Sequence, residues 1–113
     1  MKVLPFGQER IDVVSLQRVK ELREQCHDEQ QFVCAIFREI YYNEDAKFNW
    51  NVIFVKADPS IMKVWNGNEW KIYPNEDVMH DMLVTYEKVK ALHEDTNQAT
   101  MRAILLMERR VKF

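Results

Sequence analysis

The sequence predicts an α+β fold: two N-terminal helices, a three-stranded antiparallel meander, and two C-terminal helices packed on one sheet face. Three observations lead there. Apolar residues recur at a helical period on either side of the chain's middle, between about Leu16 and Tyr41 and again from Val78. Between Asn51 and Tyr73 the runs are rich in β-branched and aromatic residues. Inside that region lies Asn66-Gly67, a strong hairpin signal, because tight hairpin turns need positive φ. Helices flanking an antiparallel meander define the α+β class.

Residues 1–12 look extended. Ser15 can cap a first helix reaching about Gln25, with Leu16, Val19, Leu22 and Cys26 near one face. Asp28 starts a second helix, and Gln31 stands at the capping-box position. Phe32, Val33, Ile36, Phe37 and Ile40 form its buried stripe, extended by Tyr41. Asn43 to Asn49 is polar and turn-like. Asn51–Val55, Ile61–Trp65 and Glu69–Tyr73 read as strands, with Asp58-Pro59-Ser60 as the first turn.

The hairpin register decides which side chains are buried, because a slip of one residue exchanges the faces. A two-residue loop at Asn66-Gly67 puts Met62 and Val64 opposite in facing to Trp70 and Ile72. A three-residue loop, Asn66-Gly67-Asn68, gathers all four on one apolar face and leaves Ile61, Trp65 and Tyr73 on the other. The longer loop suits a helix-backed sheet and is the expectation, with Asn68 left-handed and Trp70 in the core. Pro74 ends the strand, Asn75 can cap a third helix, and Glu76 and Asp77 suit its first turn. Val78, Met79, Met82, Leu83, Tyr86 and Val89 give its stripe, which runs to about His93. After a break at Asp95-Thr96-Asn97, Met101, Ile104, Leu105 and Glu108 share one side of a last helix, which Val111 continues before Phe113.

A chain of 113 residues, 47% apolar and 30% charged, fits a single globular domain over residues 1–113. Two Gly and three Pro exclude collagen-like and low-complexity classes. No run is long and apolar enough to span a membrane, so no membrane insertion is expected. The first residues lack the apolar core of a secretion signal, and two cysteines are too few for a disulfide scaffold; both are expected on the apolar sides of helices in a reducing compartment. Net charge is −2, which gives no general attraction to nucleic acid. Charge is uneven, however: residues 21–45 carry a net −5 and residues 88–113 a net +3.

Residue chemistry argues against catalysis. Gly7 and Gly67 are isolated, which excludes phosphate-cradling loops. Cys26, His27 and Cys34 lack the paired spacing of a zinc site. Ser15 and Ser60 are better read as cap and turn residues, and His80 and His93 as helix-surface residues. No catalytic residue, metal ligand or cofactor site is expected, and the chain is expected not to be an enzyme. The aromatic residues say more: Phe48, Trp50, Trp65, Trp70 and Tyr73 fall within 26 residues, and Trp and Tyr are enriched at interaction hot spots. A sheet backed on one face cannot hide them all. The expected protein interface is therefore Trp50, Trp65, Tyr73 and Phe113, on the open sheet face and the last helix. The alternative is nucleic-acid binding through Lys88, Lys90, Arg102, Arg109, Arg110 and Lys112 on the basic C-terminal helices.

Several pieces also resemble a known region. They are Pro5-Phe6-Gly7-Gln8-Glu9 with Ile11-Asp12; Ile40-Tyr41-Tyr42-Asn43 with Asn49-Trp50-Asn51-Val52; Val64-Trp65-Asn66-Gly67-Asn68-Glu69-Trp70; and Glu76-Asp77-Val78. In order and spacing, over about residues 3 to 84, they are similar to the conserved C-terminal accessory region of zinc-finger-associated proteins of nucleocytoplasmic large DNA (giant) viruses, here without the zinc finger. No activity is established for that region. The resemblance implies a non-enzymatic protein–protein interaction module of a large DNA virus, such as a small virion or capsid-associated protein. Its partners would be other viral or host proteins or a second copy of the chain, and its place the host cytoplasm or the virion, not the secreted fraction.

Overall fold

The computed structural model describes residues 2–94, 102, 104 and 106–112. Helix α1 is Leu16–Gln25, α2 is Glu29–Tyr41 and α3 is Asn75–His93; strands β1 (Val52–Phe54), β2 (Ile61–Trp65) and β3 (Trp70–Pro74) form an antiparallel sheet in the order β1-β2-β3. The α+β class holds, with three α-helices among the described residues.

Local chemistry sets the first two helix starts. Ser15 Oγ accepts from the Arg18 amide at 3.1 Å, and Asp28 Oδ1 accepts from Gln31 N at 2.8 Å. The Gln31 side chain reaches back to the His27 amide at 2.8 Å, so two otherwise orphaned N–H groups are satisfied reciprocally. The buried residues of α1 are Val19 and Leu22, whereas Leu16 is exposed. Those of α2 match its stripe, with Phe32, Ile36, Phe37, Ile40 and Tyr41 in the core. Cys34 is exposed and lies off that stripe, while Cys26 packs partly against the core.

The start of α3 differs from expectation. Pro74 occupies the N-cap, and Asn75 is the first helical residue and caps nothing. Its amide side chain donates to Pro59 O at 2.7 Å and its backbone N–H to Ser60 O at 2.8 Å, tying the helix to the β1–β2 turn. From there α3 crosses β2 and β3, α2 packs on α3, and α1 packs on α2. Val78, Met82, Tyr86 and Val89 of α3 meet Met62 and Val64 of β2 in one core, which also takes Phe6 and Val14 from the extended N-terminal segment.

One ion cluster joins the three helices. Arg23 of α1 donates two 2.8 Å bonds to Glu94 after α3 and one of 2.7 Å to Glu29 of α2, with its guanidinium stacked 3.6 Å from the centre of the Phe32 ring. Tyr86 donates to Glu29 as well. Arg23 and then Tyr86 hold the Glu29 carboxyl down at about 2.

Only part of the expected second C-terminal helix falls among the described residues. Arg102, Ile104 and Leu106 have helical backbone, and residues 107–112 have no regular secondary structure. Residues 95–101, 103, 105 and 113, with most of the expected helix and Phe113, lie outside the described residues. The turn away from helix at 107 has a physical cause. Asp81, fully buried on α3, accepts from the amides of Arg110 at 2.9 Å and Val111 at 2.8 Å. Both N–H groups are thereby withdrawn from helical pairing, and Val111 is drawn into the core.

Candidate interaction surface

The surface starts from the hairpin register. Trp65 faces Trp70, Lys63 faces Ile72 and Met62 faces Tyr73, so four residues, 66–69, make the turn. This corrects the three-residue loop expected from the sequence. The cause is Asn66: its Oδ1 accepts from both Asn68 N (2.8 Å) and Glu69 N (2.9 Å), and its own N–H donates to Glu69 O at 3.1 Å. Only Gly67 in this turn has positive φ, at 103°, so Asn68 is not left-handed. A four-residue loop has the face parity of a two-residue loop, not of a three-residue one.

Side chains alternate across a strand, so this register sorts the sheet into two faces. Met62 and Val64 point inward under α3, joined by Val52, with Tyr73 on the same side. Tyr73 is therefore not on the open face where the sequence placed it. It packs partly against the core and its hydroxyl donates to Lys112 O at 3.3 Å. The outer face carries Ile53 on β1, Ile61, Lys63 and Trp65 on β2, and Trp70 and Ile72 on β3. Trp70, expected in the core, is 39% exposed; Ile53 is 45% and Ile72 59% exposed. Trp65 is half-buried, its ring centre 5.6 Å from that of Trp70. None of the helices packs on this face among the described contacts: α3 meets β2 and β3 from the Met62–Val64 side.

Along β1 the patch continues into an open groove of about 530 Å³ lined mainly by Val3, Tyr42, Trp50, Ile53, Phe54 and Trp70. Tyr42, whose hydroxyl burial lifts to about 12, lies with its ring 6.1 Å from that of Phe54. Trp50 is held by a 2.8 Å bond from its Nε1 to Asn43 O, with the Lys47 ammonium 5.4 Å from its ring centre. Trp50 lines this groove together with Trp70, whose ring neighbours that of Trp65; Tyr73 is elsewhere, and Phe113 lies outside the described residues.

The basic residues of the alternative reading differ in their surroundings. Lys88 and Arg102 are exposed. Lys90 lies 3.6 Å from Glu29 and Arg110 lies 3.6 Å from Asp77. Lys112 is exposed, whereas Arg109 turns inward, donating to Asp81 O at 2.9 Å and to Thr85 Oγ1 at 2.8 Å.

Beneath the sheet's end lies a polar junction that sequence reasoning missed. Glu9 Oε1 accepts from Gly7 N at 2.6 Å and Asn51 Nδ2 at 3.1 Å, and Oε2 accepts from Thr85 Oγ1 at 3.4 Å. Enclosure raises the Glu9 carboxyl above the ordinary carboxylate range, against the opposing pull of Gly7 N–H and Arg109. Burial and the nearby Glu9 charge push the Tyr41 hydroxyl well up. Asn49 clasps Arg10 through both backbone groups, at 3.0 and 2.8 Å, and Asn51 also donates to Leu4 O at 3.0 Å. A signal existed for half of this cluster. Asp81 and Thr85 fall at i+3 and i+7 from Val78, on the stripe itself, and a polar residue there demands a buried partner.

The other candidates have structural roles. Ser60 Oγ donates to Asp58 Oδ1 at 2.6 Å in the first turn; His80 and His93 contact the carbonyls of Glu108 (3.0 Å) and Val14 (2.6 Å). Among the described residues, no three His, Cys, Asp or Glu side chains are grouped to hold a metal, and no helix is long and apolar enough to cross a membrane. Compared with protein-family models, curated proteins and solved structures, the chain matches none.

Proposed function

We propose that this chain is a non-enzymatic protein–protein interaction module that docks through the outer face of its sheet. Its support is one observation: Ile53, Trp70 and Ile72 stand exposed beside Trp65 on a face that none of the described helices covers. Contiguous exposed apolar surface of this kind marks interaction sites, and tryptophan at its centre suits a hot spot. The biological setting proposed is a large DNA virus, with the module in the infected host's cytoplasm or in the virion, as a small virion or capsid-associated protein. That setting rests on the sequence resemblance. A nucleic-acid role draws less support, since Arg109 is spent on internal carbonyl and hydroxyl groups and Lys90 and Arg110 lie beside carboxylates.

The test is affinity capture from infected cells with the wild-type chain and with Ile72→Asp, a substitution at a position open enough to leave the core intact. Proteins held by wild type and lost from the variant, at unchanged melting temperature, are expected. An identical captured set would count against docking by this face, and salt-sensitive retention of the wild type on DNA would favour the nucleic-acid role.

A further inference from the structure

Lys63 sits at the middle of the outer face. It is on the central strand, with Ile53 directly opposite on one side and Ile72 on the other, and Trp65 two residues along facing Trp70. It enters none of the ion pairs among the described residues, whereas the neighbouring Lys71 lies 3.8 Å from Glu69. Among the described residues, then, Lys63 is a cation without an ion-pair partner inside a ring of apolar side chains.

Whatever covers this ring must deal with that charge, because a buried ammonium without a counter-charge is strongly unfavourable. A second copy does so badly. Two such faces packed about a two-fold axis present the same patch to each other, and central lysines would approach one another in a desolvated interface. A partner bringing a carboxylate to the centre converts the same group into a charge-assisted hydrogen bond that fixes register.

We propose that the outer face binds a different protein, through a segment whose apolar surface is interrupted by an aspartate or glutamate that pairs with Lys63. The lysine is then the specificity residue of the docking face proposed above, on which this inference rests: Ile53, Trp65, Trp70 and Ile72 supply contact area, and Lys63 selects the acidic partner and rejects self-association.

The test selects short random peptides displayed on phage against the full chain, then measures the binding of the selected peptides to wild type, Lys63→Glu, Lys63→Gln and Ile72→Asp. The expected peptides carry a carboxylate among aromatic and aliphatic residues. They bind Lys63→Glu more weakly by about tenfold or more and Lys63→Gln by less. Selection against Lys63→Glu should enrich Lys or Arg instead, and light scattering should find wild type monomeric. Peptides that need Ile72 but carry no acid and bind Lys63→Glu equally would overturn the role of Lys63 and leave the docking face standing. A wild-type dimer abolished by Ile72→Asp would overturn the choice of partner. Failure to select any peptide sensitive to Ile72→Asp would overturn both proposals.

Discussion

Replacing Asp81 by Ala should release the C-terminal segment while leaving the sheet and helices folded. The Asp81 carboxylate is fully buried and takes the amides of Arg110 and Val111 at 2.9 and 2.8 Å. Hydrogen bonds to a carboxyl group of this kind contribute roughly 1.5–3 kcal/mol each. Lifting off the segment also exposes Val111, now 5% exposed, at about 2 kcal/mol of lost burial. Against these losses stands the recovered backbone freedom of the released residues, roughly 1–2 kcal/mol apiece. That offset leaves a net loss of no more than about 2 kcal/mol, bounded by what the whole segment contributes, since once detached it has nothing more to lose. The assay is urea unfolding of wild type, Asp81→Ala, a chain shortened to end at Leu106, and the shortened chain with Asp81→Ala. Hydrogen exchange at the amides of Arg110 and Val111 accompanies it. In the shortened background Asp81 faces solvent, so its replacement should change stability by no more than about 0.5 kcal/mol. An equal loss in both backgrounds, or unaltered protection of the two amides in Asp81→Ala, would refute the clamp.

Two further outcomes follow from the same geometry. Gly67→Ala forces a side chain into φ of 103° and sets its Cβ 3.2 Å from Pro5 Cγ, so a loss of about 2 kcal/mol is expected by thermal or urea unfolding; an unchanged midpoint would show that the turn relaxes freely. For Glu9 the carboxyl value is raised in the fold, so its contribution to stability is complete below the unfolded value and is lost as pH rises through the folded one. Glu9→Gln does not titrate, and its amide can still accept from Gly7 and donate to Thr85 Oγ1. Its stability relative to wild type should therefore increase as pH rises above the ordinary carboxylate range, and a flat or falling difference in urea midpoints would contradict that sign.

Where the sequence was legible, the deciding chemistry was local. Ser15 and Asp28 cap the helices that follow them, within three residues of the amides they accept from. The period of α2 identified its buried face for the same reason. The hairpin register was not legible, because apolar residues occupy both faces: Met62 and Val64 inside, Ile61, Trp65 and Ile72 outside. Alternation cannot choose between such faces, and the choice passes to the turn, where one Asn66 side chain accepting two amides fixes the loop at four residues. An expectation that gathers every apolar residue on one side fails when the outer side is itself apolar. The end of the C-terminal helical stretch was equally out of reach, since the group that captures its amides belongs to α3, 29 and 30 residues earlier.

The residues on which the proposed viral resemblance rests fall at particular places in the fold. Pro5 packs on Gly67, Phe6 N–H bonds to Trp65 O at 2.8 Å, and Asn49 and Asn51 clasp Arg10 and Leu4. Glu9 bridges Asn51 to Thr85 on α3. Pieces far apart in sequence thus meet at one end of the sheet and bind the N-terminal segment, the hairpin and α3 together. That junction stiffens the hairpin, and a rigid frame lowers the entropy lost when a partner binds. Ile53, Lys63 and Ile72 fall outside all the quoted pieces, yet they form the centre of the outer face. On the proposed function Trp65 and Trp70 link the two roles: their piece belongs to the frame and their rings to the docking face, while Ile53, Lys63 and Ile72, outside the pieces, complete that face.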